Sequence, residues 1–179
     1  MNDLIYYVAA TLDGFIAHED GSFDGFEWDD DVVSDFFADL ETFGTVLMGR
    51  KTYEVGLKEG KTSPYPSMRQ VVFSRTMEES PDEAIELVQG DLGEFVRAVK
   101  SEADAPIWLC GGADVASTLM GEGLVDRVVV KLNPVVFGSG IPLFNGDAGQ
   151  AALGLKETKV YGCGIVLLRY DVGHPNSAV

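Results

Sequence analysis

VLMGRKTYE, Val46 to Glu54, is the stretch on which the reading of this chain turns. Thr45 to Met48 is a short apolar run that reads as a strand, Gly49 interrupts it, and GRKTYEVGL opens a short helix. A glycine between a strand and a helix lets another backbone or a ligand approach the helix start closely. That helix start carries free N–H groups and the positive end of a dipole. Arg50 and Lys51 stand there, and they are the first basic residues of the chain. Residues 1–49 hold 12 acidic residues and no Lys or Arg. Residues 50–75 hold six basic residues (Arg50, Lys51, Lys58, Lys61, Arg69, Arg75) and two acidic ones (Glu54, Glu59), a local balance of +4 in a chain of net charge −16. The clustering marks a place for an anion; the alternative is solvated surface charge.

Outward from this stretch, apolar runs alternate with helical spacings. LIYYVAA (Leu4–Ala10) reads as a buried strand, TLDG as a turn, and FIAH as a short continuation of the strand. A loop rich in Gly and Asp runs from His18 to Trp28 and could fold over a ligand. Val32, Val33, Phe36, Phe37, Leu40 and Phe43 are spaced for a helix over 30–43, capped at its start by Asp29 or Asp30 and ended by Gly44. RQVVFS, AIELV, PIWLC and DRVVVKLN read as strands, the last broken by Pro134. Asp91–Glu102 reads as a helix, with Asp91 and Glu94 at capping-box spacing, and GGADVASTLMGEG as a helix entered and left through glycine. Gly138-Ser139-Gly140 reads as a turn. Leu155–Tyr161 and Ile165–Asp171 form a closing hairpin across Gly162-Cys163-Gly164. No repeat or linker divides the chain, so residues 1–171 are expected to be one domain and 172–179 a tail.

Composition narrows the function. No apolar run approaches the ~20 residues that span a bilayer. No basic segment precedes an apolar stretch at the N-terminus, so no signal peptide is expected and a cytoplasmic location is. Cys110 and Cys163 lie on or beside strands and read as small core residues rather than a disulfide. His18 and His174 stand alone, so no metal site is expected. The run Asp29-Asp30-Asp31 fits dipole complementation at a helix start. Strong acidity argues against nucleic acid or an anionic membrane as partner.

Alternation of strands and helices implies an α/β sheet covered on both faces, with an antiparallel edge from the closing hairpin. Ligands of such sheets sit at the carboxyl ends of the strands. Three strand ends here are polar or rich in glycine: Gly49-Arg50-Lys51-Thr52, Ser74-Arg75-Thr76 and Gly111-Gly112. The glycines and helix starts suit a phosphate, and Arg50, Lys51 and Arg75 suit an additional one. There is no G-x-G-x-x-G, so the usual dinucleotide fingerprint is absent.

MGRKTYE, VVFSR and LCGGADV resemble, in order and spacing, three strand ends of the dihydrofolate reductases. AATLDGFIA and GLVDRVVVKLNPVVFGSGIPLF are more similar to the reductase domain of bacterial riboflavin biosynthesis, the RibD C-terminal domain, which shares that fold. The resemblance spans roughly residues 3–170. It implies a three-layer α/β/α fold, a mostly parallel sheet with an antiparallel C-terminal hairpin, and NADPH as hydride donor. It places backbone groups of Ala9 and Ile16 at the nicotinamide carboxamide. Gly49, Arg50, Lys51 and Thr52 fall at the pyrophosphate and 2′-phosphate, Ser74 and Arg75 at the adenosine end, and Gly111, Gly112, Ala113, Asp114 and Val115 at the phosphate bridge. Ala113 stands where the family often has a third glycine.

On the substrate side the resemblance places Trp28 and Phe37 beside the substrate ring; a core position on the helix's apolar face is the other reading of Phe37. The carboxylate of dihydrofolate reductases falls, by counting, on Val33, and Asp31 reaches it only through a gap. The expectation is therefore an NADPH-dependent reductase of a pyrimidine- or pterin-type substrate, similar to 5-amino-6-(5-phosphoribosylamino)uracil reductase. The alternatives are a dihydrofolate reductase with a displaced carboxylate, Asp31, or a non-catalytic NADP-binding module. No zinc deaminase domain accompanies the chain, so a free-standing paralogue is conceivable. Lys131, Lys58 and Lys61 remain as partners for a substrate phosphate, and pairing into a homodimer is implied, with PVVFG at the interface.

Overall fold

The computed structural model describes residues 1–173. Eight strands form one sheet: β1 (Leu4–Thr11), β3 (Thr45–Gly49), β4 (Arg69–Phe73), β5 (Ile85–Val88), β6 (Ile107–Gly111), β7 (Arg127–Asn133), β9 (Ala152–Val160) and β10 (Val166–Gly173). The spatial order is β5-β4-β3-β6-β1-β7-β10-β9. Every pairing from β5 to β7 is parallel, while β10 runs antiparallel to both β7 and β9. Parallel neighbours need crossovers, and the helices α1 (Asp30–Leu40), α2 (Arg50–Lys58), α3 (Leu92–Glu102) and α4 (Ala113–Gly121) serve them.

The period of two along each strand sorts the core into two layers. Leu4, Tyr6, Leu47, Leu109, Val128 and Val130 pack with Val96 and Val99 of α3 and with Ala116 and Leu119 of α4. Their alternates Ile5, Tyr7, Val46, Met48, Trp108 and Val129 pack with Val32 and Leu40 of α1 and Tyr53 of α2. The result is the three-layer α/β/α arrangement. All five residues of β3 are buried, as an interior strand covered on both faces requires. Lys100 of α3 is buried against Asp126 and donates to the Leu124 carbonyl at 2.8 Å, while Asp126 accepts from the Leu4 amide at 2.7 Å. This joins one layer to the starts of β1 and β7.

Four boundaries differ from the sequence reading. The first helix ends at Leu40 rather than at residue 43, because the Thr42 hydroxyl bonds the Asp39 carbonyl (2.7 Å) and closes a turn. FIA does not continue β1. Gly14, at φ 85°, reverses the chain, and Phe15–Ala17 (β2) pairs instead with Ile141–Pro142 (β8) in a separate two-stranded sheet. The hairpin strands are Ala152–Val160 and Val166–Gly173, with Tyr161 closing the loop through its amide bond to the Ile165 carbonyl (2.9 Å). The domain therefore runs past 171: Val172 is buried and donates to the Asp126 carbonyl at 2.8 Å. The rest of the expected tail, with His174, lies outside the described residues. Asp91 caps α3 as expected, accepting from the Glu94 amide at 2.7 Å, and Cys110 and Cys163 are free thiols.

Gly121 ends α4 against the backbone of the segment 146–148. A methyl group there would lie 2.4 Å from the Asp147 carbonyl oxygen, and backbone does not yield as a side-chain tip does. Gly121→Ala is expected to destabilise the protein by about 1–3 kcal/mol, the usual cost of overpacking, read as a lowered midpoint in urea unfolding.

Candidate active site

Phe73 lies opposite Gly49, and Met48 opposite Gly111, so β4, β3 and β6 end together at one edge of the sheet. Two helices start at this edge. α2 follows Gly49 and α4 follows Gly112, and neither N-cap glycine supplies a side-chain hydrogen bond. The two starts are side by side: a methyl on Gly49 would lie 3.1 Å from Val115 Cγ2 and 3.4 Å from the Gly112 amide nitrogen. Thr52 Oγ1 is 3.4 Å from where a methyl on Gly112 would sit. Gly111 adopts φ 128°, open to glycine, and the Gly111–Gly112 peptide bond is cis. The structure thus brings together Gly49, Thr52, Gly111, Gly112 and Val115. Arg50, Lys51, Ala113 and Asp114 occupy the first turns of the same two helices.

The charges of this edge differ in freedom. Arg50 bonds Glu54 one turn on, at 2.6 Å, with both side chains about one-third exposed (36% and 37%). Lys51 and Arg75 are exposed and make no ion pair among the described residues. Ser74 is buried, and its hydroxyl accepts from the amides of Thr76 (3.2 Å) and Met77 (2.8 Å), which shapes the turn that carries Arg75. Asp114 accepts from the Asn145 carboxamide at 2.9 Å.

Beside this edge, on the α1 face of the sheet, lies a cavity of about 100 Å3. Its walls come from α1 (Val32, Val33, Phe36, Phe37), from the loop ahead of α1 (Phe26, Glu27, Trp28), from the strand residues Ala9, Lys131 and Asn133, and from Ile165. Trp28 and Phe37 are 66% and 60% exposed, which is unusual for large aromatics and marks an open, flat-sided mouth. The loop 18–28 folds over this region as its position suggests. Asn133 Oδ1 accepts from the Glu27 amide (3.1 Å), and the His18 and Phe26 rings stack on Phe137 at 3.8 and 5.3 Å.

Ala9 and Lys131 are paired neighbours on β1 and β7. The Lys131 ammonium sits 3.7 Å from the Phe36 ring centroid and 5.5 Å from that of Tyr7. Burial pushes it down to about 8, against the raising effect of Cys110 and Asp39. Nearby carboxylates are committed elsewhere. Asp39 accepts from Arg169 at 2.7 Å; Asp35 accepts from Lys159 and from the Tyr161 hydroxyl at 2.7 Å. The Lys159 and Tyr161 bonds hold the Asp35 carboxyl below its ordinary range.

Several expected residues fall elsewhere. Asp31 is exposed in the first turn of α1, where its amide donates to Asp29 Oδ1 (3.0 Å), and it does not line the cavity. Val33, the position that direct counting gives, does line it. Ile16 lies on β2, with its side chain packed toward the α3–α4 layer. Lys61 pairs with Glu59 at 2.9 Å in an exposed loop. Phe36 and Asn133 were not foreseen as cavity residues. The signal for Lys131 is its place as the one charge within the apolar run VVVKL. A larger hollow, about 350 Å3, lies at the opposite end of β1 and β7 among Arg127, Lys156, Glu157, Arg169 and Asp171. Its cations are already paired, Arg127 with Asp3, Lys156 with Asp171 and Arg169 with Asp39, so it offers little to an anion. Among the described residues no three His, Cys, Asp or Glu gather to hold a metal ion, and no helix is long and apolar enough to cross a membrane.

A strand edge with paired glycine-headed helices beside an aromatic-walled cavity is the layout of the dihydrofolate reductase-like class. Residues 2–167 match the RibD C-terminal domain, and the chain belongs to that family. It is 36% identical over 167 residues to the uncharacterized protein YwjB of Bacillus subtilis (strain 168), covering 91% of this chain and 94% of that one. A second uncharacterized protein of that strain, YyaP, is 32% identical over 179 residues, covering 93% of each. In fold, the chain is similar to the crystal structure of a putative riboflavin biosynthesis protein from Shewanella sp. PV-4 (TM-score 0.84, 24% identity, 97% of this chain and 100% of that one). It is also similar to a diaminohydroxyphosphoribosylaminopyrimidine deaminase/5-amino-6-(5-phosphoribosylamino)uracil reductase from Thermotoga maritima (TM-score 0.71, 18% identity), covering 96% of this chain and 57% of that one.

The Asn133 carboxamide is buried and ties the loop to β7. Asn133→Ala is expected to speed hydrogen exchange of the Glu27 amide about tenfold, the equivalent of one hydrogen bond in local opening, with Trp28 emission shifting to the red.

Proposed function

We propose that this chain is an NADPH-dependent reductase of a flat pyrimidine- or pterin-type substrate, resembling the reductase of riboflavin biosynthesis. The observation that carries the proposal is the contact between two helix starts, headed by Gly49 and Gly112 and free of side-chain caps. Each presents uncapped backbone N–H groups and a positive dipole end, and a side chain on Gly49 would crowd Val115 of the neighbouring helix start. A pyrophosphate fits that chemistry.

In this reading the first turns of α2 and α4 hold the phosphate bridge. Arg50 reads the 2′-phosphate, with Glu54 keeping its guanidinium in place until the phosphate takes over. Lys51 adds charge, and Arg75, presented by the Ser74 turn, flanks the adenosine. Backbone groups of Ala9 and Ile16 take the nicotinamide carboxamide. The reduced nicotinamide, when bound, supplies the hydride. Ala9 also lines the aromatic cavity, so the cofactor's reactive end and the substrate would share one wall. Phe37 and Trp28 offer flat surfaces to a heterocycle, and the loop 18–28 limits water there. A homodimer is part of the proposal, and light scattering reads it directly.

Parallel titrations with NADPH and NADH test the cofactor. NADPH is expected to bind clearly tighter, and Arg50→Ala to cut its affinity by about ten- to a hundredfold, the range for a charge-assisted bond, while leaving NADH nearly unchanged. Absence of binding by either nucleotide at submillimolar concentration would remove the reductase reading.

A further inference from the structure

We infer that Lys131 selects the substrate: the cavity takes a planar ring that turns a carbonyl or anionic oxygen toward the Lys131 ammonium, and disfavours rings that turn amino groups there. The inference rests on the reading of this cavity as the reductase's substrate pocket. It assigns the pocket's polarity, which neither the fold nor the phosphate edge determines.

Among the described residues the Lys131 ammonium has no ion pair and no hydrogen bond; it rests against the faces of Phe36 and Tyr7. Lys131 is half-buried, and a cation set against two ring faces with no acceptor is only partly compensated. The α1 carboxylates Asp39 and Asp35 are occupied, Asp39 by Arg169 and Asp35 by Lys159 and Tyr161. The other polar side chain of the inner wall, Asn133, is spent at both ends: its oxygen takes the Glu27 amide and its nitrogen donates to the Lys131 carbonyl (3.0 Å). Glu27 is exposed at the mouth. Lys131 is thus the charged donor left to the cavity, and it lies against Phe36, itself a cavity wall.

This is opposite in sign to a pocket built on a carboxylate. A carboxylate accepts from amino and ring N–H groups, whereas an ammonium is a donor only. An oxygen acceptor would give Lys131 the partner it lacks. A ring amino group would instead leave two donors facing each other in a confined space. Lys131 was open to the sequence as a partner for a substrate phosphate; its seat among Phe36, Val33 and Ala9 suits the edge of a ring better.

Two pyrimidines separate the cases. Orotate carries oxo groups and a carboxylate, and 2,4-diaminopyrimidine carries two amino groups. Each is titrated into the wild-type protein at neutral pH, with Trp28 at the cavity mouth reporting occupancy. Orotate is expected to bind at least about tenfold tighter, the effect of one charge-assisted bond. Lys131→Met should abolish the preference, Lys131→Glu should reverse it, and Lys131→Arg should keep it. The Arg variant also guards against misfolding as the cause of loss, with circular dichroism on each protein.

The pH dependence adds a readout that a purely structural lysine would not move. The charged form is lost above about 8, so orotate affinity should fall as pH rises through that value, and be flat in Lys131→Met. The groups facing Lys131 are Cys110, Tyr7, Asp39 and, through Cys110, Tyr65. Burial pushes the Cys110 thiol up to about 12 and raises both tyrosines, and Asp39 is paired with Arg169. Equal affinities, a wild-type preference for 2,4-diaminopyrimidine, an unchanged preference in Lys131→Met, or no response to either probe at millimolar concentration would each overturn the inference. NADPH titration of the same samples reads the parent proposal separately. Discrimination without NADPH binding would remove the reductase and keep the polarity of the pocket.

Discussion

Everything at the carboxyl edge of the sheet depends on two backbones touching. Met48 and Gly111 lie opposite one another on parallel strands, so the turns that follow them compete for the same space. With no side chain on Gly49 or Gly112 the turns fit, and two helix starts point into one small region. The fully buried β3 fixes the position of that contact, because its alternating residues are locked into both core layers. The phosphate site proposed here would thus be a consequence of packing. The same geometry that satisfies the core leaves backbone donors uncapped at the surface.

The neighbouring cavity owes its character to the antiparallel hairpin. Arg169 and Lys159 of β10 and β9 reach α1 and take Asp39 and Asp35. These pairs anchor the helix over the sheet, which sets Phe36 and Phe37 in position. Asp39, whose charge still acts on Lys131, is thereby committed to Arg169. A surface ion pair contributes little to stability, but here the pairing decides the sign of the charge that remains inside. Asp31, one turn earlier, is spent on neither task and remains in solvent.

The strands and helices were legible because their signals are local: apolar runs of strand length, helical spacing in α1 and α3, and caps at Asp29 and Asp91. The phosphate edge was legible for the same reason, since glycine, cation and strand end are adjacent in the chain. The pairing of β2 with β8 was not, because a strand of two residues has no period to detect. The cavity was only half visible. Trp28 and Phe37 stand out by type, whereas Asn133 joins the site through a bond to Glu27, 106 residues away in the chain. The carboxylate was not legible, because counting from Gly49 lands on Val33, an apolar residue that lines the cavity.

The uneven charge has a consequence for how an anion arrives rather than how it is held. The chain as a whole carries −16, while Lys51 and Arg75 stand uncommitted beside the glycine-headed helices. At a distance an approaching phosphate meets the field of the whole molecule and is repelled; only at contact does it meet the local cations. Salt screens the first far more than the second, since the screening length is about 8 Å at physiological ionic strength. If the edge binds a phosphate as proposed, encounter there should quicken as salt is added from very low concentration, the reverse of the steering familiar from oppositely charged partners. The acidic surface acts as a kinetic filter, admitting anions that the site itself can grip at short range.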